Sequence, residues 1–188
     1  MPVSKDDQKN VFRRFFPEKN ASKKNEGYDF FISSDESVLY KKNNFNNPKI
    51  LEIVSGNGKK ERYCGILDGR LIPNILRKHV CRGYDLEEDG SYKSEFIHGV
   101  RLDLIHSKAI NDDIKSKIIV QREELLSNLK YIASQNQLTG DWALHNLIYS
   151  YRYDCIINID LEGFVSYDPL PPWADYMHIE QWLSSIPN

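Results

Sequence analysis

Three features are scarce or absent in this sequence, and each absence excludes a class of protein. Cysteine occurs only at Cys64, Cys81 and Cys155, with no C-x-x-C spacing. Neither a disulfide framework nor a structural zinc site is therefore expected. The first residues are charged and polar, unlike a secretory signal, and no apolar run approaches the length of a membrane span. We expect a cytoplasmic protein with reduced thiols and no membrane span.

An excess of charge of one sign is also lacking. The 188 residues include 25 Lys and Arg against 27 Asp and Glu, a formal net charge of -2. Because net charge gives no support for a nucleic-acid surface, no nucleic-acid partner is expected. With 40% hydrophobic residues, the chain is long enough for one domain with a real core, or for two small lobes that share a cleft.

The most informative pattern is a predicted β-hairpin in the last third of the chain. Two apolar runs, Leu147–Tyr149 and Cys155–Ile159, are separated by a polar loop and predict two paired strands. Asp141 and Asn146 precede the first strand, and Asp160 follows the second. The hairpin therefore predicts that these three polar side chains converge at one edge of the ribbon.

These side chains match the needs of phosphoryl transfer. A carboxylate must orient the attacking hydroxyl and accept its proton, and oxygen ligands must hold Mg²⁺ against the phosphates. Position assigns Asp141 as the base, Asn146 and Asp160 as metal ligands, and Glu162 as an assisting metal or water ligand. Taken singly, each residue is better explained as an ordinary turn, cap or strand-end residue. Their joint order around one hairpin favours the functional interpretation.

The same residues resemble a family motif. The sequence has Gly140-Asp141, then Asn146-Leu147, then Ile159-Asp160-Leu161-Glu162. These segments resemble the loop H-G-D-x-x-x-x-N and the following D-x-[DE] strand end of kinase-like phosphotransferases. That family includes aminoglycoside phosphotransferases, choline kinases and lipopolysaccharide-sugar kinases. The sequence departs from the motif at Thr139, where the family usually has His. The resemblance implies ATP and Mg²⁺ as cofactors, and a nucleotide and a hydroxyl-bearing acceptor as partners.

The resemblance also implies a fold and its boundaries. It implies an α+β, two-lobed protein-kinase-like fold with a β-rich N-lobe and a reduced helical C-lobe. The predicted units are an N-terminal extension and connector over residues 1–27, the N-lobe over 28–102, and the C-lobe with the catalytic-type loop over 103–188. Within the extension, a short helix or docking segment is predicted around Asp6 to Phe16.

The N-lobe contains a candidate phosphate-binding lysine. Tyr28 to Lys42 predicts a hairpin whose second strand ends Val38-Leu39-Tyr40-Lys41, similar to the V-L-x-K of the family. The resemblance implies that Lys41 reaches the α and β phosphates; an exposed strand-end lysine is the alternative. No glycine-rich loop precedes this hairpin, and the helix predicted within Arg70 to His79 has no Glu to pair with the lysine. Phe96 to Leu102 is similar to the hinge between the lobes of the family.

Two further elements are predicted from pattern alone. Apolar residues recur at helical spacing from Asp112 to Ser134, and Asn111 is a suitable N-cap for this helix. Val80–Leu86 and Ser91–Val100 predict a hairpin across an acidic turn that ends in glycine.

Two other classes of function stay open. The run Ile50–Gly58 resembles the glycine loop that opens S-adenosylmethionine-dependent methyltransferases, although a strand and an Asn-Gly turn explain the same residues. The other alternative is a catalytically silent kinase-like binding module. The departures from the family motif favour a silent module, whereas the retention of Asp141, Asn146 and Asp160 together argues against it.

Overall fold

The computed structural model describes residues 12–15, 28–43, 72–87, 89–105, 110–135, 141–161, 180–181 and 184–185. Over these residues the protein has two antiparallel sheets, one long α-helix and three short 3₁₀-helices. The predicted α+β class is therefore confirmed. The division into two lobes and its boundaries stay predictions.

The first sheet has five strands in the spatial order β1-β2-β3-β5-β4. The predicted hairpin from Tyr28 to Lys42 is confirmed as β2 and β3, in which Phe31 pairs with Tyr40. The Asp35 carboxylate closes its turn by accepting hydrogen bonds from the hydroxyls of Ser33 and Ser37. The strands, in chain order, are β1 (Phe12–Phe15), β2 (Tyr28–Ser33), β3 (Val38–Asn43), β4 (Gly83–Tyr84) and β5 (Tyr92–Glu95).

The strand β1 corrects the prediction of a helix near the N-terminus. Residues Phe12–Phe15 pair antiparallel with β2 at the edge of the first sheet. The ring of Phe12 lies 6.0 Å from the ring of Tyr40 on β3, so an aromatic contact holds this edge. The prediction of a helix is therefore wrong for these four residues, whereas the alternative of a docking segment agrees with their pairing to β2.

The second sheet carries the hairpin that the sequence predicts in the last third of the chain. It consists of β6 (Gly99–Arg101), β7 (Leu147–Ser150) and β8 (Cys155–Asn158), in that spatial order. Strands β7 and β8 pair antiparallel, which confirms the predicted hairpin. A Cβ atom added at Gly99 would lie 1.9 Å from the carbonyl oxygen of Tyr149, so only glycine allows β6 to approach β7 this closely.

The chain passes from one sheet to the other through Phe96–His98. The sequence predicts a single strand over Ser91–Val100, but the structure divides it into β5 and β6, which belong to different sheets. The Phe96 amide still donates to the carbonyl of Ser37 at 2.9 Å, in register with the Val38–Glu95 pair, so the change of sheet follows this bond. The pairing of Gly83 and Tyr84 with β5 confirms the predicted hairpin, with shorter strands than expected.

The α-helix, α1, spans Asp112–Ser134 and has the bounds that the sequence predicts. Asn111 caps it, because its side-chain oxygen accepts a hydrogen bond from the Ile114 amide at 2.8 Å. One face of α1 is buried and packs against β8 and the 3₁₀-helix Asn74–His79, which replaces the helix predicted within Arg70 to His79. Among the described residues, none of the helices has the length and apolar character needed to cross a membrane.

Candidate functional site

Residues from three distant parts of the chain meet at the end of β8, around the tripeptide Asn158-Ile159-Asp160. The Ile159 amide donates to the backbone carbonyl of Asn146 at 2.9 Å. The Lys41 ammonium nitrogen donates to the carbonyl of Ile159 at 3.3 Å. The Asn158 side-chain amide donates to the backbone carbonyl of Asp141 at 2.7 Å. The structure therefore brings Lys41, Asp141 and Asn146 to the strand end that carries Asp160.

Asp141 lies in the turn that precedes β7, with its side chain half-buried. Its Oδ1 atom accepts a hydrogen bond from the Ala143 amide at 3.0 Å, the local contact that Asp commonly makes in turns. Its Oδ2 atom has no hydrogen-bond partner among the described residues. The fully buried Trp142 anchors the same turn in the core. One carboxylate oxygen thus fixes the side chain within the turn.

Asn146 ends the 3₁₀-helix Leu144–Asn146, directly before β7. Its backbone amide donates to the carbonyl of Ala143 at 2.8 Å, which closes this single helical turn. The five-residue spacing from Asp141 is therefore built from one side-chain turn and one 3₁₀ turn. Because its carbonyl also accepts from Ile159, Asn146 is held against the strand end of Asp160.

Lys41 is buried, with only 7% of its surface exposed, so the alternative of an exposed strand-end lysine is wrong. Its ammonium lies 5.2 Å from the ring centroid of Tyr92, the residue that pairs with it across β3 and β5. A buried ammonium is costly unless polar or aromatic groups compensate it. The Ile159 carbonyl and the Tyr92 ring supply such compensation and hold the charge next to Asp160.

Asp160 is half-buried, and its amide donates to Oδ1 of Asn158 at 2.8 Å. The predicted assisting ligand, Glu162, lies outside the described residues, as does the methyltransferase-like run Ile50–Gly58. Within the part of the chain that the structure describes, no group of three or more His, Cys, Asp or Glu forms a metal site. An amide and one carboxylate still fit Mg²⁺, which is commonly held by one or two carboxylates together with substrate phosphates.

Sequence reasoning missed Asn158, although it contacts both halves of the site. Its side chain is fully buried within β8. The available signal was an amide side chain between two apolar residues, Ile157 and Ile159, in an otherwise apolar strand. Such a residue needs internal hydrogen bonds, but the sequence does not show which backbone groups provide them.

A cleft of about 580 Å³ lies elsewhere, among the 3₁₀-helix Asn74–His79, α1 and the β7–β8 loop. Its walls include Arg77, Arg82, Gln121 and Tyr153, and none of Lys41, Asp141, Asn146 and Asp160 lines it. This cleft is therefore a feature separate from the candidate site.

Comparisons with known proteins leave the family open. No protein-family model matches the chain, and no curated protein matches it significantly. Among solved structures, the chain is similar to the bifunctional kinase-methyltransferase WbdD, with 18% sequence identity and a TM-score of 0.46. The match covers 77% of this chain and 31% of the WbdD chain. The chain thus spans less than a third of that protein, and similarity of this degree assigns no activity.

Proposed function

We propose that this protein is a kinase-like phosphotransferase that uses ATP and Mg²⁺ to phosphorylate a hydroxyl of its acceptor. One observation carries the proposal: the ammonium of Lys41 contacts the carbonyl of Ile159, 118 positions along the chain and directly before Asp160. In this proposal one strand end carries three kinds of group: a cation for the phosphates, a carboxylate base and two oxygen ligands for a metal. Phosphoryl transfer depends mainly on positioning and on stabilisation of charge, which such a cluster supplies.

Each residue has a distinct role in the proposed reaction. Asp141 orients the acceptor hydroxyl with its Oδ2 atom, which has no hydrogen-bond partner among the described residues, and takes the hydroxyl proton as the new O–P bond forms. Lys41 places a positive charge where the phosphates bind. Asn146 and Asp160 hold Mg²⁺, with Glu162 assisting. The metal, when bound, neutralises charge that develops on the phosphates.

The proposal extends to the architecture and location of the protein. We infer the two-lobed protein-kinase-like arrangement, with the five-stranded sheet in the N-lobe, and α1 and the β7–β8 hairpin in the C-lobe. The segment Phe96–His98, which passes from one sheet to the other, then corresponds to the hinge. The cytoplasm, where ATP and reduced thiols are abundant, is the compartment that suits this activity.

The proposal is tested first by ligand-induced stabilisation of the purified protein. Melting temperature is measured against ATP with and without MgCl₂, and against S-adenosylmethionine in a parallel series. A ligand that binds only the folded state raises the melting temperature by mass action. We expect a shift with ATP that requires Mg²⁺ and no shift with S-adenosylmethionine. Release of ADP in the presence of hydroxyl-bearing compounds then tests transfer and identifies the acceptor.

The two alternative functions give different results in the same experiment. A shift with S-adenosylmethionine alone would contradict the phosphotransferase and support a methyltransferase with its site at Ile50–Gly58. No shift with either ligand would support the silent kinase-like binding module. Binding of ATP without any transfer to any acceptor would likewise contradict catalysis.

A further inference from the structure

The side chain of Asn158 links two segments of the candidate site. Asn158 is fully buried, and both ends of its amide are used. Its Nδ2 atom donates to the carbonyl of Asp141 at 2.7 Å, and its Oδ1 atom accepts from the Asp160 amide at 2.8 Å. One side chain therefore joins the peptide unit of the proposed base to that of the proposed metal ligand.

We propose that Asn158 is a positioning residue that fixes Asp141 relative to Asp160. The roles of these two aspartates rest on the proposed phosphotransferase function, whereas the link itself does not. Asn146 is tied to the strand end by a backbone hydrogen bond, but Asp141 lies five residues upstream of it. The hydrogen bond from Asn158 is what ties the peptide unit of Asp141 to β8.

The backbone of Asn158 is held firmly enough for its side chain to act as a fixed point. In the sheet it pairs with Leu147 of β7. On its other side it forms a parallel bridge with Val80, and its carbonyl accepts from the Cys81 amide at 2.9 Å. Side chains whose own surroundings are fixed position functional groups more accurately than mobile ones. Because β8 holds Asn158 in place, its side-chain hydrogen bond also restrains the position of the Asp141 turn.

The chemistry of the link requires an amide. Asn offers a donor and an acceptor on one planar group, whereas ionised Asp only accepts and Leu does neither. Asn158→Asp keeps the size and an acceptor for the Asp160 amide, but its ionised carboxylate has no donor for the Asp141 carbonyl.

The first test measures the rate of ADP release and the affinity for ATP with Mg²⁺ separately, at one pH. We expect both Asn158→Asp and Asn158→Leu to release ADP about tenfold or more slowly than the wild type, because the displaced turn no longer presents Asp141 correctly. In Asn158→Asp the affinity should fall less than this rate, since Asp141 is the proposed base and not a ligand of the nucleotide. Asn43→Asp is the matched control, since Asn43 is also a buried amide that donates to a backbone carbonyl, that of Asp89. Its rate of ADP release should match that of the wild type.

The second test measures hydrogen exchange without nucleotide, so it separates the link from the proposed function. The Asp160 amide should exchange faster than in the wild type in Asn158→Leu but not in Asn158→Asp. The Ala143 amide, which reports on the Asp141 turn, should exchange faster in both. Wild-type exchange at Ala143 in both variants would overturn the proposal, as would a wild-type rate of ADP release in Asn158→Asp. If the wild type binds no ATP, the proposed function is wrong, and hydrogen exchange at the Asp160 and Ala143 amides alone tests whether Asn158 positions Asp141.

Discussion

At the scale of single residues, Lys41 combines a charge with a buried position. Lys41→Met keeps the length of the side chain and its packing against Tyr92 but removes the charge. We expect a large loss of ATP affinity with little loss of melting temperature, because a buried ammonium contributes little net stability once its desolvation is counted. Isothermal titration calorimetry with ATP and MgCl₂ measures the affinity.

The neighbouring lysine provides a control for that substitution. Lys42 is exposed on the same strand, so Lys42→Met removes an equal charge away from the site. It should bind ATP like the wild type. Similar losses in the two variants would mean that general charge, and not the position of Lys41, governs nucleotide binding.

Asp160→Asn tests the assignment of the metal ligand. The amide preserves the size of the side chain but is a much weaker ligand for Mg²⁺ than a carboxylate. Nucleotide binding should lose its dependence on Mg²⁺, while the free energy of unfolding should change by roughly 0.5 kcal/mol or less. Asp141→Asn is the comparison, because it should retain Mg²⁺-dependent binding and lose transfer. Unchanged dependence on Mg²⁺ in Asp160→Asn would remove Asp160 from the ligand set.

The sequence predicted the placement of some site residues better than that of others. Asp141, Asn146 and Asp160 flank one hairpin, so local strand and turn patterns were sufficient to predict their proximity. Lys41 was placed by its resemblance to a family motif, since nothing local joins it to β8. Asn158 was missed because its two partners are backbone groups of folded segments, which leave no mark on the sequence.

At the scale of elements, the pairing of β6 with β7 depends on Gly99. An alanine Cβ at this position would collide with the Tyr149 carbonyl at 1.9 Å, and backbone cannot yield as a flexible side chain does. We expect Gly99→Ala to lower the free energy of unfolding by about 1–3 kcal/mol, the usual range for overpacking. Urea denaturation measures the change. Wild-type stability in this variant would mean that β6 does not approach β7 this closely in solution.

The N-terminus of α1 depends on the side chain of Asn111. Asn111→Ala leaves the Ile114 amide without its side-chain acceptor and should cost about 1 kcal/mol of stability. Asn111→Asp keeps the acceptor and should be neutral or slightly stabilising, since a negative charge suits a helix N-terminus. Urea denaturation of both variants tests this assignment. Equal stability of the two would contradict it.

Local signals decide which elements were predicted well. Helix α1 has both helical periodicity and a cap residue, so its bounds were correct. Strand β1 has no strong signal of its own, because its conformation is set by pairing with the edge of β2. The break between β5 and β6 was missed for a similar reason: the two strands pair with different partners, β3 and β7, which are distant in sequence from them.

At the scale of the whole molecule, stability should depend on the protonation of His79. This side chain is fully buried, its Nδ1 atom lies 2.8 Å from the carbonyl of Ile156, and its Nε2 atom has no partner among the described residues. Burial lowers the pKa of His79 below the usual value for histidine. The unfolded chain therefore binds a proton more readily, so stability is full above about pH 6.5 and falls as pH decreases below it.

Melting temperatures between pH 8 and pH 5 test this expectation. His79→Asn keeps a donor at the position of Nδ1 but does not titrate, so its melting temperature should fall less over this interval than that of the wild type. The difference between the two slopes isolates His79 from the other titrating groups. Parallel slopes would show that His79 is not the group responsible.

The hairpins and the long helix were predictable from local patterns, but the assembly of the site was not. The α+β class itself was implied by the resemblance to kinase-like phosphotransferases. The meeting of Lys41 with the end of β8 depends on how the two sheets are placed against each other, which periodicity does not encode.

The contact between Lys41 and Ile159 also has a consequence for how the protein is made. The hairpin of β2 and β3 is local in sequence and can form soon after its synthesis. The contact between Lys41 and Ile159 can form only after more than one hundred further residues, including β8, have been synthesised. A nascent chain that has not reached β8 therefore lacks the strand end against which Lys41 is held, whatever structure its first sheet has acquired. Under the proposed function, ATP binding would begin only after β8 has been synthesised.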